Sequence, residues 1–141
     1  KNLIDHFAYR WITHRPYGKM FTKVGLTISS SAGAPANNTV KSMAKQLKWM
    51  GIPKVYKFPF ISNALNISTI SSKKEAELKQ KSEKIALKVK KRANKPKASL
   101  KGKIMFYIFR KMQASPSASW NPKDRDWWIE QGWIKNVRPW K

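Results

Sequence analysis

The sequence predicts an α/β fold built on a parallel sheet, and three observations carry that expectation. Two short apolar, β-branched runs, Lys23-Val-Gly-Leu-Thr-Ile-Ser29 and Val55-Tyr-Lys-Phe-Pro-Phe60, read as strands. Between them Val40, Met43, Ala44, Leu47 and Met50 follow the spacing of one helix face. Gly51-Ile-Pro53 then turns the chain tightly into the second run. Strand, helix and returning strand make a βαβ unit, whose strands run parallel with a right-handed crossover.

The remaining elements follow in order. Residues 1–13 place Leu3, Ile4, Phe7, Ala8, Trp11 and Ile12 on one face, which predicts an amphipathic helix. Arg15-Pro16-Tyr17-Gly18 turns the chain. Asn38 or Thr39 is expected to cap the crossover helix by accepting an orphan backbone N–H. Gly51 suits the left-handed position that ends that helix, and Pro53 prevents its continuation. Pro59, which has no N–H for a ladder, is expected to end the second strand. Residues 61–71, ISNALNISTIS, read as a loop. Ser72-Lys-Lys-Glu75 has capping-box spacing and opens a Lys-rich helix to about Arg92, with a thin apolar stripe of Leu78, Ile85 and Val89. Asn94-Lys-Pro breaks that helix. Ser99 caps the next, through about Met112 with IMFYIF at its centre, and Asn121-Pro122 is a cap and first-turn pair for a last helix ending at Gly132.

Composition narrows the chemistry. Thirty Lys and Arg against seven Asp and Glu give the 141 residues a formal charge of +23. Such a surface attracts phosphate-bearing cofactors, nucleic acid and anionic lipid alike, so charge names the sign of a partner and not its class. With no Cys, disulfides, thiolate metal sites and Cys nucleophiles are excluded. The two His, His6 and His14, come without a ligand constellation, so no metal site is expected. No apolar run reaches the roughly 18 residues of a membrane span. The first residues are periodic rather than continuously apolar, unlike a signal peptide, and a cytoplasmic location is expected. Two strands make no stable sheet alone, and the chain opens on a helix. The expectation is therefore the C-terminal portion of a longer protein, with residues 1–93 belonging to the α/β domain and 94–141 to a helical, Trp-rich extension.

In open parallel sheets ligands bind beyond the carboxyl ends of the strands. The stretch TISSSAGAPANNT, residues 27–39, begins at such an end and is small and uncharged within a very basic chain. Small residues there let a flat ring approach the backbone, and the Ser hydroxyls and backbone N–H groups offer hydrogen bonds. The competing reading is a plain connection of small polar residues. Neither the GxGxxG nor the Walker A spacing occurs.

Several motifs, taken in order, resemble one branch of the flavodoxin-like NAD(P)H-dependent FMN reductases. They are Lys1-Asn-Leu-Ile-Asp5, His14-Arg-Pro16, the strand ending Ile-Ser-Ser-Ser-Ala-Gly33, and Trp49-Met-Gly51 before the next strand. Phe106-Tyr-Ile-Phe-Arg110, Asp124-Arg-Asp-Trp-Trp128 and Gly132-Trp133 complete the series. The resemblance spans essentially the whole chain. It implies a doubly wound, flavodoxin-like parallel sheet of which this chain holds the last two strands, their helices and a C-terminal helical extension. It further implies an FMN-dependent oxidoreductase passing hydride from NAD(P)H to the flavin and on to an acceptor. Ser29, Ser30, Ser31, Ala32, Gly33 and Ala34 would lie along the isoalloxazine ring. The family's phosphate-binding loop follows the first strand, which lies outside this sequence, so the chain by itself is expected to be inactive. The flavin carries the redox chemistry, and no side chain is assigned as an acid or base.

Other features have simpler expectations. Asp5 and His6 are read as helix-end or solvent-facing groups, and the Lys-rich helix as a solvated face. IMFYIF could serve as a dimer surface, a packing helix or a membrane-surface anchor, and packing is favoured. The Trp residues of the tail could stack bases or dock the tail on the domain. The alternative function is a basic protein that binds nucleic acid or a membrane surface. A homodimer and non-specific binding of anions or nucleic acid are compatible with either reading, and a membrane surface is not the expected partner.

Overall fold

In a computed structural model of the chain, residues 2–117 and 121–141 are described, the side chains of Asn2, Leu3 and Ile67 excepted. The expected start of the first helix at Lys1 and the place of Leu3 on its apolar face lie outside these. The described residues form a mixed α/β structure: a two-stranded parallel sheet with five α-helices. The strands are β1 (Val24–Ser31) and β2 (Lys54–Ile61). The helices are α1 (Asn2–His6), α2 (Asn37–Trp49), α3 (Ser72–Ala93), α4 (Leu100–Ala114) and α5 (Pro122–Glu130). They fall into two compact units that interleave along the chain. A sheet unit comprises Val24–Leu47 and Val55–Pro96, and an aromatic unit comprises Lys1–Lys23, Lys48–Lys54 and Lys97–Lys141.

In the sheet unit, β1 and β2 end side by side, and the Ser62 N–H, just past β2, donates at 2.9 Å to the carbonyl of Ser31, the last residue of β1. Gly25 and Thr27 of β1 and Val55 of β2 are buried, as are Val40 and Ala44 of α2. Gly25 is a close-approach position: a Cβ there would lie 3.2 Å from Leu47 Cδ1 and 3.3 Å from Val55 Cγ2. The buried Thr27 hydroxyl lies 3.2 Å from the Val40 carbonyl and 3.4 Å from that of Tyr56, so its polarity is met locally. α3 packs against β1, through a stripe that is only half-buried at Leu78, Ile85 and Val89.

The aromatic unit is organised around Phe106 of α4, which is wholly buried. Trp128 stacks on it with centroids 5.0 Å apart, and Phe21, Trp133 and Trp140 meet it edge-on at 5.7, 5.7 and 5.0 Å. Edge-to-face and offset contacts suit the ring quadrupoles. Trp128 and Trp133 are therefore core, with Trp127 and Trp140 packed against it, which removes Trp128 and Trp133 from any base-stacking role. Side chains of α4 and α5 also fasten the segment 13–16. Gln113 Nε2 donates to the Thr13 carbonyl at 3.0 Å, Trp128 Nε1 to that of His14 at 2.6 Å and Trp127 Nε1 to that of Pro16 at 3.1 Å.

Four local expectations need correction. The helix expected over 1–13 stops at His6 and continues as a 3-10 turn, Ala8–Arg10, with Trp11 extended. Phe7, Tyr9, Trp11 and Ile12 are weak helix formers, and the Ile12 N–H is drawn to the Trp49 carbonyl at 2.8 Å. α2 starts at Asn37, so Asn38 and Thr39 sit inside its first turn, with the Val40 N–H bonded to Ala36 instead. Pro59 lies within β2 rather than ending it. In a two-stranded sheet half of each strand's N–H groups face away from the partner, and a Pro there removes no ladder bond. The cap of α3 is Ser71 and not Ser72; its side chain accepts from the Lys74 N–H. By contrast Ser99 and Asn121 cap α4 and α5 as expected. Gly51 has φ of 101° and its N–H bonds to the Lys48 carbonyl, the tighter of the two bonds of a Schellman ending.

Candidate functional site

Beyond the carboxyl ends of β1 and β2, within the sheet unit, lies a cavity of about 450 Å³. Ligand pockets run roughly 300–1,000 Å³, so this one has room for a small organic group. One wall is Ser30, Ser31 and Ala32; another is Ser62, Ala64 and Asn66 from the loop after β2. Phe60, Leu65, Ile70 and Leu78 supply the apolar remainder. The two loops meet because the parallel strands end flush, which brings both connections to one rim.

The residues expected on sequence grounds distribute unevenly. Ser30, Ser31 and Ala32 line the cavity. Ser29 is half-buried within β1, and Gly33 and Ala34 are exposed in the turn beyond. The Ser31 hydroxyl donates to the Ala34 carbonyl, which closes that turn and leaves its oxygen to act toward a ligand as an acceptor only. Gly33 carries no positive φ, and a Cβ placed on it would meet nothing within 4 Å. Its backbone therefore needs no glycine.

The second wall escaped the sequence reading, which took 61–71 only as a loop. Its signal was positional: it follows a strand parallel to β1, so it had to reach the same rim. Ser62 organises it. The Ser62 hydroxyl lies 3.1 Å from the Ser31 carbonyl and 2.8 Å from that of Ala64, and accepts from the Ala64 N–H at 3.3 Å. Asn63 takes the left-handed conformation, φ 55°, which Asn tolerates better than most residues. A 3-10 turn, Ile67–Thr69, then carries the chain to α3.

An ion-paired cation lies beside the cavity residue Phe60. Lys74 Nζ stands 5.6 Å over the Phe60 ring and 2.9 Å from Glu77 Oε2. Lys81 holds the other Glu77 oxygen. Lys81 first and then Lys74 lower the Glu77 carboxyl from 4.5 to about 2.

No family model, curated protein or solved structure matches the chain. What the fold defines is an α/β chain with a cavity at the ends of two parallel strands.

Proposed function

We propose that this chain is the flavin-facing portion of an FMN-dependent NAD(P)H oxidoreductase with a flavodoxin-like sheet. The observation that carries the reading is the cavity, set beyond the paired carboxyl ends of a βαβ unit, with Ser, Ala and Asn from the two strand-end loops on its rim, an apolar remainder and no charged residue in its lining. Small walls let a planar ring lie along the backbone, and Phe60 and Leu78 offer it an apolar surface. The residues present fit the ring end of the cofactor. FMN, when bound, supplies the electron transfer between NAD(P)H and an acceptor. The chain's own residues orient it, exclude water from one side and offer hydrogen bonds to its polar edge.

The test uses a ligand with the ring alone. Lumiflavin, which has no phosphate, is titrated into the 15N-labelled 141-residue chain. Shifts should concentrate at Ser30, Ser31, Ala32, Ser62 and Ala64, with FMN binding no more than a few-fold tighter than lumiflavin because no phosphate loop is assigned to this chain. Absence of shifts at the strand ends under saturating lumiflavin would leave the loops as connections and sink the reading. A parent chain that adds a strand and phosphate loop upstream should purify yellow and oxidise NAD(P)H.

A further inference from the structure

α4 shows two different faces. Phe106 and Gln113 are buried on one, while Leu100, Ile104 and Ile108, spaced four apart, stand 76%, 51% and 55% exposed on the other. Residues four apart share a helix face, so the three make one continuous aliphatic row. The sequence expectation of a packing helix accounts for the first face and not for the second. Lys101 and Lys111 are exposed on the same side as the row. Tyr107 borders it half-exposed, its ring under the Arg138 guanidinium at 5.2 Å and its hydroxyl accepting from Arg138 Nε at 3.1 Å.

We propose that this face docks on an anionic lipid bilayer, with the aliphatic row entering the headgroup boundary and the Lys and Arg side chains meeting acidic headgroups. Charge selects this occupant. A second copy of a chain carrying +23 would bring like-charged rims together over the row. Nucleic acid would use the cations and leave three aliphatic side chains in water. An acidic bilayer satisfies both at once, since interfacial helices combine an apolar strip with flanking Lys and Arg. Tyr suits the boundary too, with an apolar ring and a polar tip. Docking would be at the surface, because no helix among the described residues is long and apolar enough to cross a membrane.

A chain this basic will adsorb to acidic vesicles through charge alone, so the test must read insertion of α4. The absence of Cys makes Ile108→Cys a unique labelling site for an environment-sensitive dye. Leu87→Cys on α3, also exposed and surrounded by Lys, is the control for plain adsorption. With phosphatidylcholine vesicles containing about a quarter phosphatidylserine, the dye at 108 should shift to the blue and be quenched by lipids spin-labelled near the headgroup, while the dye at 87 stays in water. Ile104→Ser with Ile108→Ser should lower partitioning on the order of tenfold at salt high enough to suppress adsorption. A dye at 108 as wet as the dye at 87, or partitioning indifferent to the double substitution, would overturn the proposal. So would sedimentation showing a dimer that the same double substitution dissociates.

Discussion

His14 Nδ1 lies 2.7 Å from Asp124 Oδ2, although the two residues are 110 positions apart. Asp124 is almost fully buried at the start of α5, where a carboxylate also favours the helix dipole. Arg15 Nε stands 3.1 Å from its other oxygen, an ion-pair distance, but off the line a hydrogen bond needs. Arg15 further stacks over Tyr9, and Arg10 over both Tyr9 and Trp127. The buried carboxylate thus holds His14 and Arg15 against α5, while Arg10 reaches α5 through the Trp127 ring.

Asp124→Asn keeps the shape and removes the charge. His14 and Arg15 are each about one-third exposed, so water takes up part of the loss. The expected destabilisation is about 1–3 kcal/mol, the range for removing a charged hydrogen-bond partner. Urea unfolding followed by Trp fluorescence reads it directly, because each described Trp belongs to the aromatic unit. A variant as stable as the parent would mean that the aromatic packing alone holds segment 13–16.

The legible parts of the fold were those in which cause and effect are close in sequence. Ser99 caps through Gly102, and Asn121 through Lys123, spans of three and two residues. Gly51 showed its left-handed turn for the same reason. The break after His6 was not legible, because the competing bond to Ile12 comes from Trp49. Nor was His14–Asp124, which no spacing rule relates. Half of the cavity was visible as a strand-end loop of small residues. The other half depended on β2 ending level with β1, a fact of pairing rather than of the letters in 61–71.

The centre of the aromatic unit should be its most sensitive position. Phe106→Ala removes a fully buried ring from contact with Phe21, Trp128, Trp133 and Trp140. A loss of about 3–5 kcal/mol is expected for a Phe-to-Ala change in a core. Ile108→Ser, two residues along but exposed, should shift the same unfolding midpoint by less than about 0.5 kcal/mol equivalent. Equal effects at the two positions would contradict the two-faced description of α4.

Glu77 should titrate far below an ordinary carboxyl, with Lys81 the larger cause and Lys74 the smaller. Because its folded pKa is depressed, its contribution to α3 is complete above about 4.5 and is lost as pH falls toward about 2. The carboxyl is open to solvent, so added salt should bring the value back toward normal. Carboxyl 13C NMR across that range checks the value, and Lys81→Ala should raise it more than Lys74→Ala. An unshifted titration in low salt would show that the three side chains do not stay together in solution.

Gly33→Val separates a ligand effect from a folding effect more cleanly than any change deeper in the cavity. Gly33 is exposed, has no positive φ, and offers an added Cβ open space to 4 Å. The chain itself therefore gives no reason for glycine there, and the substitution should leave the urea midpoint unchanged within about 0.5 kcal/mol equivalent. Ser30, Ser31 and Ala32, its immediate neighbours, face the cavity. If a flavin ring reaches the backbone along this turn, a branched side chain stands in its path. Lumiflavin affinity should then fall several-fold while the fold is untouched. A loss of stability would instead mean that the turn packs more closely than its open surroundings indicate. Unchanged affinity with unchanged stability would place the ring against the Ser62–Asn66 wall, away from Gly33. That outcome would narrow the contact to the residues that line the cavity and remove Gly33 and Ala34 from the site.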